Sequence, residues 1–199
     1  MKFSGHLATI AVLAYQTDLA LANDSTPFIG PLDPWKVNSL QVTVPAKGRS
    51  GIVDIELAIE NPNKVSAGPA PHAAGGGYLP FSPSAANCST GVDSGVTVQN
   101  VCTETSQSSY GVWTVDLPKG AVDPQNLELT FNLNYNVTRW GGILYKVYTA
   151  TGYFVVGKNL AKGVCDDASG TCSFELQNGS APVLVQPTMI ACKGTCDLS

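Results

Sequence analysis

The stretch NLELTFNLNYNVT, residues 126–138, decides the fold class of this chain. Its apolar side chains occupy every second position: Leu127, Leu129, Phe131, Leu133, Tyr135 and Val137. A period of two is typical of a strand with one face buried and the other in solvent. We therefore predict a long strand here that covers a hydrophobic core.

Other parts of the chain repeat this pattern over shorter lengths. Val53, Ile55, Leu57 and Ile59 alternate with more polar residues in a second strand. Further β-rich runs are residues 35–44, 96–102, 112–117, 143–156, 172–176 and 183–190. Gly, Pro, Asn and Asp turns separate them, and parallel strands would need long helical crossovers that the sequence lacks. The prediction is an all-β fold, an antiparallel β-sandwich or β-barrel.

The N-terminus has the features of a secretory signal. A basic Met1-Lys2 precedes an apolar run at residues 7–15, and Ala20-Leu21-Ala22 has the small-x-small pattern of a cleavage site. We predict a signal peptide at residues 1–22 and a mature chain from Asn23. Polar residues at 16–18 stop the apolar run well before a membrane-spanning length. The protein is therefore expected to be secreted and extracellular, without a membrane partner.

Length and composition limit the fold classes and partners that residues 23–199 can have. This length fits one β-rich domain with its own core. With 44% hydrophobic and 13% charged residues the chain is not of the disordered class. Its net charge of -4 and the lack of a basic block argue against nucleic acid as a partner. Residues 61–95, rich in Gly, Pro and Ala, are expected to form a long loop within the domain.

Six cysteines are expected to form three structural disulfides in an oxidising compartment: Cys88, Cys102, Cys165, Cys172, Cys192 and Cys196. Spacing alone does not determine their connectivity. Pairing of sequence neighbours is favoured, because 166–170 has the composition of a hairpin turn that would place its flanking cysteines opposite each other. Zinc would require reduced thiolates and repeated CxxC spacing, so no metal is expected. A calcium site at Asp166-Asp167 is the alternative to a plain turn.

Four N-x-Ser/Thr sequons agree with secretion, at Asn23, Asn87, Asn136 and Asn178. Asn136 lies on the polar side of the 126–138 strand, so a glycan there requires this face to meet solvent. Cys88, the middle residue of the Asn87 sequon, is itself expected in a bridge, which argues against a glycan at Asn87.

Common catalytic machinery is missing from the sequence. His72 is the only histidine after the signal and lies in the 61–95 segment. There is no G-x-S-x-G elbow and no HExxH pair. We expect no enzymatic activity and no cofactor. Asp54 and Glu56, about 7 Å apart on one strand face, leave a carboxylate-based glycoside hydrolase open as the least favoured alternative.

Aromatic side chains are the remaining candidates for ligand binding, since rings stack on the apolar faces of sugars. Trp140 precedes Gly141-Gly142 at a predicted hairpin tip, and Tyr148 and Tyr153 follow in sequence. Trp35 and Trp113 lie within strand runs and are expected in the core.

The segment PWKVNSL, residues 34–40, followed by an alternating strand and Asn61-Pro62-Asn63, resembles the opening of secreted fungal proteins related to the major Alternaria allergen. The resemblance covers about 30 residues. The chain departs from the family in the insert before Cys88 and in the additional pair Cys192 and Cys196. The resemblance implies a compact β-barrel or sandwich without enzymatic activity, secreted by a fungus and engaging host defence proteins or small ligands in some cases.

The functional hypothesis is a secreted, non-catalytic fungal protein, effector-like or allergen-like, that binds a host protein or cell-wall polysaccharide. A carbohydrate-binding module-like protein acting through Trp140 is the alternative. The oligomeric state and the identity of the partner stay open.

Overall fold

The computed structural model describes residues 31–69, 78–93, 96–106, 110–117, 122–139, 142–194 and 196. The predicted signal peptide, Asn23, His72 and Trp140 lie outside them. The described chain is all-β and contains no helix, which confirms the predicted fold class. Its strands are β1 (Trp35–Pro45), β2 (Val53–Asn61), β3 (Val65–Pro69), β4 (Tyr78–Phe81), β5 (Ser84–Asp93), β6 (Val96–Glu104), β7 (Gly111–Asp116), β8 (Asn126–Arg139), β9 (Gly142–Val155), β10 (Val164–Asp166), β11 (Thr171–Glu175), β12 (Val183–Val185) and β13 (Thr188–Lys193).

Two antiparallel sheets face each other as a sandwich. The large sheet has the order β10-β11-β1-β2-β5-β6, and β12 pairs with the first part of β1. The small sheet has the order β13-β9-β8-β7, and β3 and β4 form a separate hairpin. Long pairings hold each sheet, such as the register of β8 with β9 from Asn126 to Arg139. The expectation of an antiparallel sandwich or barrel is therefore confirmed, and the arrangement is that of a sandwich.

The core lies between the inner faces of the two sheets. All six apolar side chains of the alternating stretch 127–137 are buried there, facing the buried Ile55, Leu57 and Ile59 of β2. Trp35 and Trp113, from opposite sheets, meet edge to face with ring centroids 4.7 Å apart, as expected for core residues. Burial of this apolar surface is the main force that holds the sheets together.

The prediction of a long loop over residues 61–95 is wrong. β3 and β4 lie within it, and β5 is a central strand of the large sheet, paired with β2 over nine residues and with β6 on its other side. The buried side chains of β5 include Ser84, Ala86, Cys88 and Thr90, which are small or polar, and only Val92 at its end is a larger apolar residue. The large side chain of Trp113 on the opposite sheet packs against the start of β5 and donates a hydrogen bond from its ring N–H to the Ser84 hydroxyl at 2.8 Å.

The single strand expected over 183–190 is two strands in different sheets. Gln186 and Pro187 separate β12 from β13. Proline has no N–H for a ladder hydrogen bond, so the chain leaves one sheet here and enters the other.

All six cysteines are paired with their neighbours in sequence, which is the pairing that the sequence analysis favoured. Cys88–Cys102 joins residues directly opposite on β5 and β6, and Cys165–Cys172 does the same across β10 and β11. Cys192–Cys196 closes the end of β13.

Candidate functional site

A groove of about 780 Å³ runs over the outer face of the large sheet. Strands β1, β2, β5 and β6 form its floor, and residues 177–181 after β11 form one wall. A smaller hollow of about 400 Å³ shares Gln41, Glu56 and Ser89 with it. The polar side chains of the two hollows are Asn38, Ser39, Gln41, Thr43, Asp54, Glu56, Asn87, Ser89, Thr103, Glu175, Gln177 and Asn178. We call the combined surface the polar groove.

Strand alternation and register assemble this surface. In β2 the side chains of Ile55 and Leu57 point into the core, so Asp54 and Glu56 between them point outward. Gln41 of β1 stands opposite Glu56 on one side and Glu175 of β11 on the other. Ser89 of β5 stands opposite Glu56 and extends the row. Since neighbouring strands are about 4.8 Å apart, the row presents hydrogen-bonding groups at short, regular intervals.

The polar groove is acidic. Asp54, Glu56 and Glu175 contribute carboxylates, and no Lys or Arg lies among the described residues that line the two hollows. Lys36, further along the outer face of β1, is engaged by Glu60 at 3.8 Å. Carboxylates accept hydrogen bonds, and the amides and hydroxyls around them both donate and accept. The arrangement therefore suits a ligand rich in hydroxyl or ammonium groups.

The carboxylates Asp54 and Glu56 lie in the groove, exposed, as their alternation predicted. Both rise from one strand, so they do not face each other across a cleft as a glycosidase pair does. Glu175 is a further acidic residue of the groove that the sequence did not reveal. It stands two strands from Glu56, about 10 Å by strand spacing, and only the pairing of β11 with β1 brings it there.

The tyrosines proposed for ligand stacking are not brought together. Tyr148 is only 2% exposed, because it lies on the inner face of β9, so the structure contradicts a surface-binding role for it. Tyr153 is 58% exposed on the outer face of the small sheet, opposite Glu128. Trp140 lies outside the described residues. No aromatic side chain is found among the described residues that line the polar groove.

The three sequons within the described chain all have an exposed asparagine. Asn87 and Asn178, far apart in sequence, both line the polar groove. Asn136 lies on the outer face of the small sheet, opposite Tyr145.

The Asp166-Asp167 segment forms a turn. The Asp166 carboxylate accepts the backbone N–H groups of Ala168 and Ser169, each at 3.1 Å. These hydrogen bonds lower the pKa of Asp166, because they stabilise its charged form. Among the described residues, no group of three or more His, Cys, Asp or Glu side chains is arranged to hold a metal ion.

No helix in the described part of the chain is long and apolar enough to cross a membrane. No family model, no curated protein and no solved structure matches this chain. The resemblance to the Alternaria allergen family stays a prediction.

Proposed function

We propose that this chain is a secreted, non-catalytic fungal protein, effector-like or allergen-like, that binds a host or cell-wall component through the polar groove. The observation that carries the proposal is the row Glu175, Gln41, Glu56 and Ser89 on an exposed sheet face. The signal sequence supports secretion, and three disulfides in an all-β fold are consistent with an extracellular location.

The charge of the groove narrows the class of ligand. A polyanion would be repelled by its three carboxylates and would find no lysine or arginine among the described lining residues. Neutral or cationic polysaccharides offer hydroxyl and amine groups that match the amides and carboxylates. Within the broader set of host and cell-wall components, we therefore propose a neutral or amino-sugar polysaccharide as the ligand.

The test is retention of enzymatically deglycosylated protein on chitin, chitosan, β-glucan and cellulose, with a polyanionic pectin as a further polymer. We expect retention on at least one neutral or cationic polymer and none on pectin. The double variant Gln41→Ala, Glu56→Ala should lose retention, because it removes the centre of the row. Asn134→Ala, an exposed polar residue on the other sheet, is the matched control and should bind as wild type does.

Several outcomes would contradict the proposal. If no polymer retains the wild-type protein, a polysaccharide ligand is refuted. If the double variant is retained as well as wild type, the polar groove is not the binding site. Loss of retention in Trp140→Ala alone would favour the carbohydrate-binding module-like alternative, in which a ring stacks on the sugar. Release of reducing ends from any polymer, lost in Glu56→Gln or Glu175→Gln, would show a glycoside hydrolase instead.

A further inference from the structure

We infer that the secreted protein exists in two forms, and that a glycan on Asn87 closes the polar groove in one of them. This inference rests on the proposed function for its premises that the chain is secreted and that the groove binds ligand. The observation behind the inference does not depend on the proposed function. Asn87, the asparagine of a sequon, lies on the floor of the groove, on the central strand β5.

The position of Asn87 places the attachment point of a glycan inside the groove. Asn87 is exposed and stands between Ala58 of β2 and Thr103 of β6 in the same cross-strand row. Ser89, the third residue of its sequon, stands opposite Glu56. The first sugars of an oligosaccharide attached to Asn87 therefore lie in the hollow of about 780 Å³ that the ligand would occupy.

Asn178 differs from Asn87 although it lines the same groove. It belongs to the wall at residues 177–181, outside the strands of the floor. A glycan on Asn178 can leave from the rim without crossing the floor. A glycan on Asn136 projects from the opposite sheet. The chain thus carries two internal controls for the effect of Asn87.

The transfer step explains why two forms arise. The side-chain amide nitrogen of Asn87 bonds to C1 of an oligosaccharide carried on a lipid diphosphate, the C1–O bond to the diphosphate breaks, and the nitrogen loses a proton. In the folded protein Asn87 lies within a strand that is paired on both sides. Transfer must therefore precede the pairing of β5. Cys88 bonds to Cys102, only 14 residues away, so closure of this bridge competes with transfer at the neighbouring Asn87.

The experiment measures groove access without any ligand. The full chain is secreted from a eukaryotic host, its glycoforms are separated by chromatography, and each fraction is mapped for occupancy at each sequon. Carboxylates are then labelled with a carbodiimide and an amine. We expect Glu56 to be labelled several-fold less in the fraction glycosylated at Asn87 than in the unmodified fraction. Asp123, an exposed carboxylate outside the groove, provides the reference.

Matched variants assign the effect to one glycan. Asn87→Gln should label at Glu56 like the unmodified fraction, while Asn178→Gln and Asn136→Gln should leave the difference between fractions intact. Endoglycosidase treatment of folded wild type should raise Glu56 labelling, which keeps the test independent of whether a variant folds. Equal labelling in the two fractions would overturn the inference. So would complete modification of Asn87, or its complete absence in protein modified at Asn136.

Failure of this inference and failure of the proposed function give different results. If Glu56 labelling depends on the Asn87 glycan but no polymer is retained, the groove is gated and the ligand class is wrong. If the Asn87-glycosylated fraction is retained on a polymer through Gln41 and Glu56, the proposed function stands and the closure is refuted.

Discussion

Two buried tyrosines of the small sheet have opposite hydrogen-bonding states. The Tyr135 hydroxyl accepts a hydrogen bond from Asn61 Nδ2 at 2.9 Å and donates one to the Ser82 carbonyl oxygen at 2.9 Å. The Tyr148 hydroxyl is buried and has no hydrogen-bond partner within the described chain. Loss of a hydroxyl therefore has different consequences at the two positions.

We predict that Tyr135→Phe lowers the free energy of unfolding by about 1–3 kcal/mol, because it leaves the buried Asn61 amide without its acceptor. Tyr148→Phe should be neutral or stabilising, since it removes a buried hydroxyl that loses its hydrogen bonds to water on folding and makes none in the described chain. Urea denaturation of the two variants beside wild type provides the measurement. Equal losses would contradict this account of the two hydroxyls.

The same tyrosines predict how stability responds to alkali. Burial raises the pKa of Tyr148 to about 12 and also raises that of Tyr135 above its ordinary value. The unfolded state loses these protons near pH 10 while the folded state keeps them, so their contribution is present below pH 10 and is lost as pH rises toward 12. Urea titrations across this range should show falling stability, with a smaller fall in Tyr148→Phe. An identical pH dependence in that variant would contradict the assignment.

At the scale of elements, hydrogen bonds from Asn61-Pro62-Asn63 connect the end of β2 to Asp33, which lies just before β1. Asn63 Nδ2 donates to the Asp33 carbonyl oxygen at 2.8 Å, and Asn63 Oδ1 accepts the Asp33 N–H at 2.8 Å. Asn61 Oδ1 accepts hydrogen bonds from both the backbone and the side chain of Asn63. The motif on which the family resemblance rests therefore has a structural role in this chain.

We expect Asn63→Ala to lower the free energy of unfolding by about 1–3 kcal/mol, because its buried amide satisfies backbone groups of the entering chain. Asn38→Ala is the control, since Asn38 is exposed and its side-chain hydrogen bond to Glu60 is long at 3.4 Å. Chemical denaturation distinguishes them. Similar small losses in both variants would show that the motif does not hold the strand ends together.

The disulfides differ in exposure, and this predicts the order of their reduction. Both bridges have one buried cysteine, Cys88 and Cys172, but Cys165 on the short edge strand β10 is exposed whereas Cys102 on β6 is only partly exposed. A reductant should therefore cleave Cys165–Cys172 before Cys88–Cys102, because exchange requires access to a sulfur. Differential alkylation and peptide mapping at increasing reductant would follow this order. Complete reduction should lower the melting temperature, and early loss of Cys88–Cys102 would contradict the buried placement.

At the scale of the whole molecule, Gly152 lies where the two sheets pack closely. A Cβ at Gly152 would lie 3.1 Å from Val185 of β12 and 3.1 Å from Phe131 of β8. Gly152→Ala is expected to lower the free energy of unfolding by about 1–3 kcal/mol through overpacking of the core. Thr151→Ser, on the exposed opposite face, is the control. A neutral Gly152→Ala would show that the sheets separate easily at this point.

The sequence predicted those strands in which large apolar side chains alternate with polar ones. β8 and β2 alternate large apolar with polar side chains, so both their strand character and their buried face were predictable. β5 was missed, because its inward residues are small and it depends on pairing with β2 and β6. Tyr148 was assigned to the surface because its sequence neighbours do not show that its position on β9 faces the core.

The sequence by itself determined the all-β class and the strand faces of β2 and β8, because alternation is a local property. It favoured pairing of the cysteines with their neighbours, and the structure decided that connectivity. Only the tertiary structure decided that Glu175, Gln41, Glu56 and Asn87 share one groove and that Tyr135 meets Asn61 in the core. Those placements depend on the register between strands that are distant in the chain. The register depends on how the apolar faces of both sheets are buried together, and no single stretch of sequence carries that information.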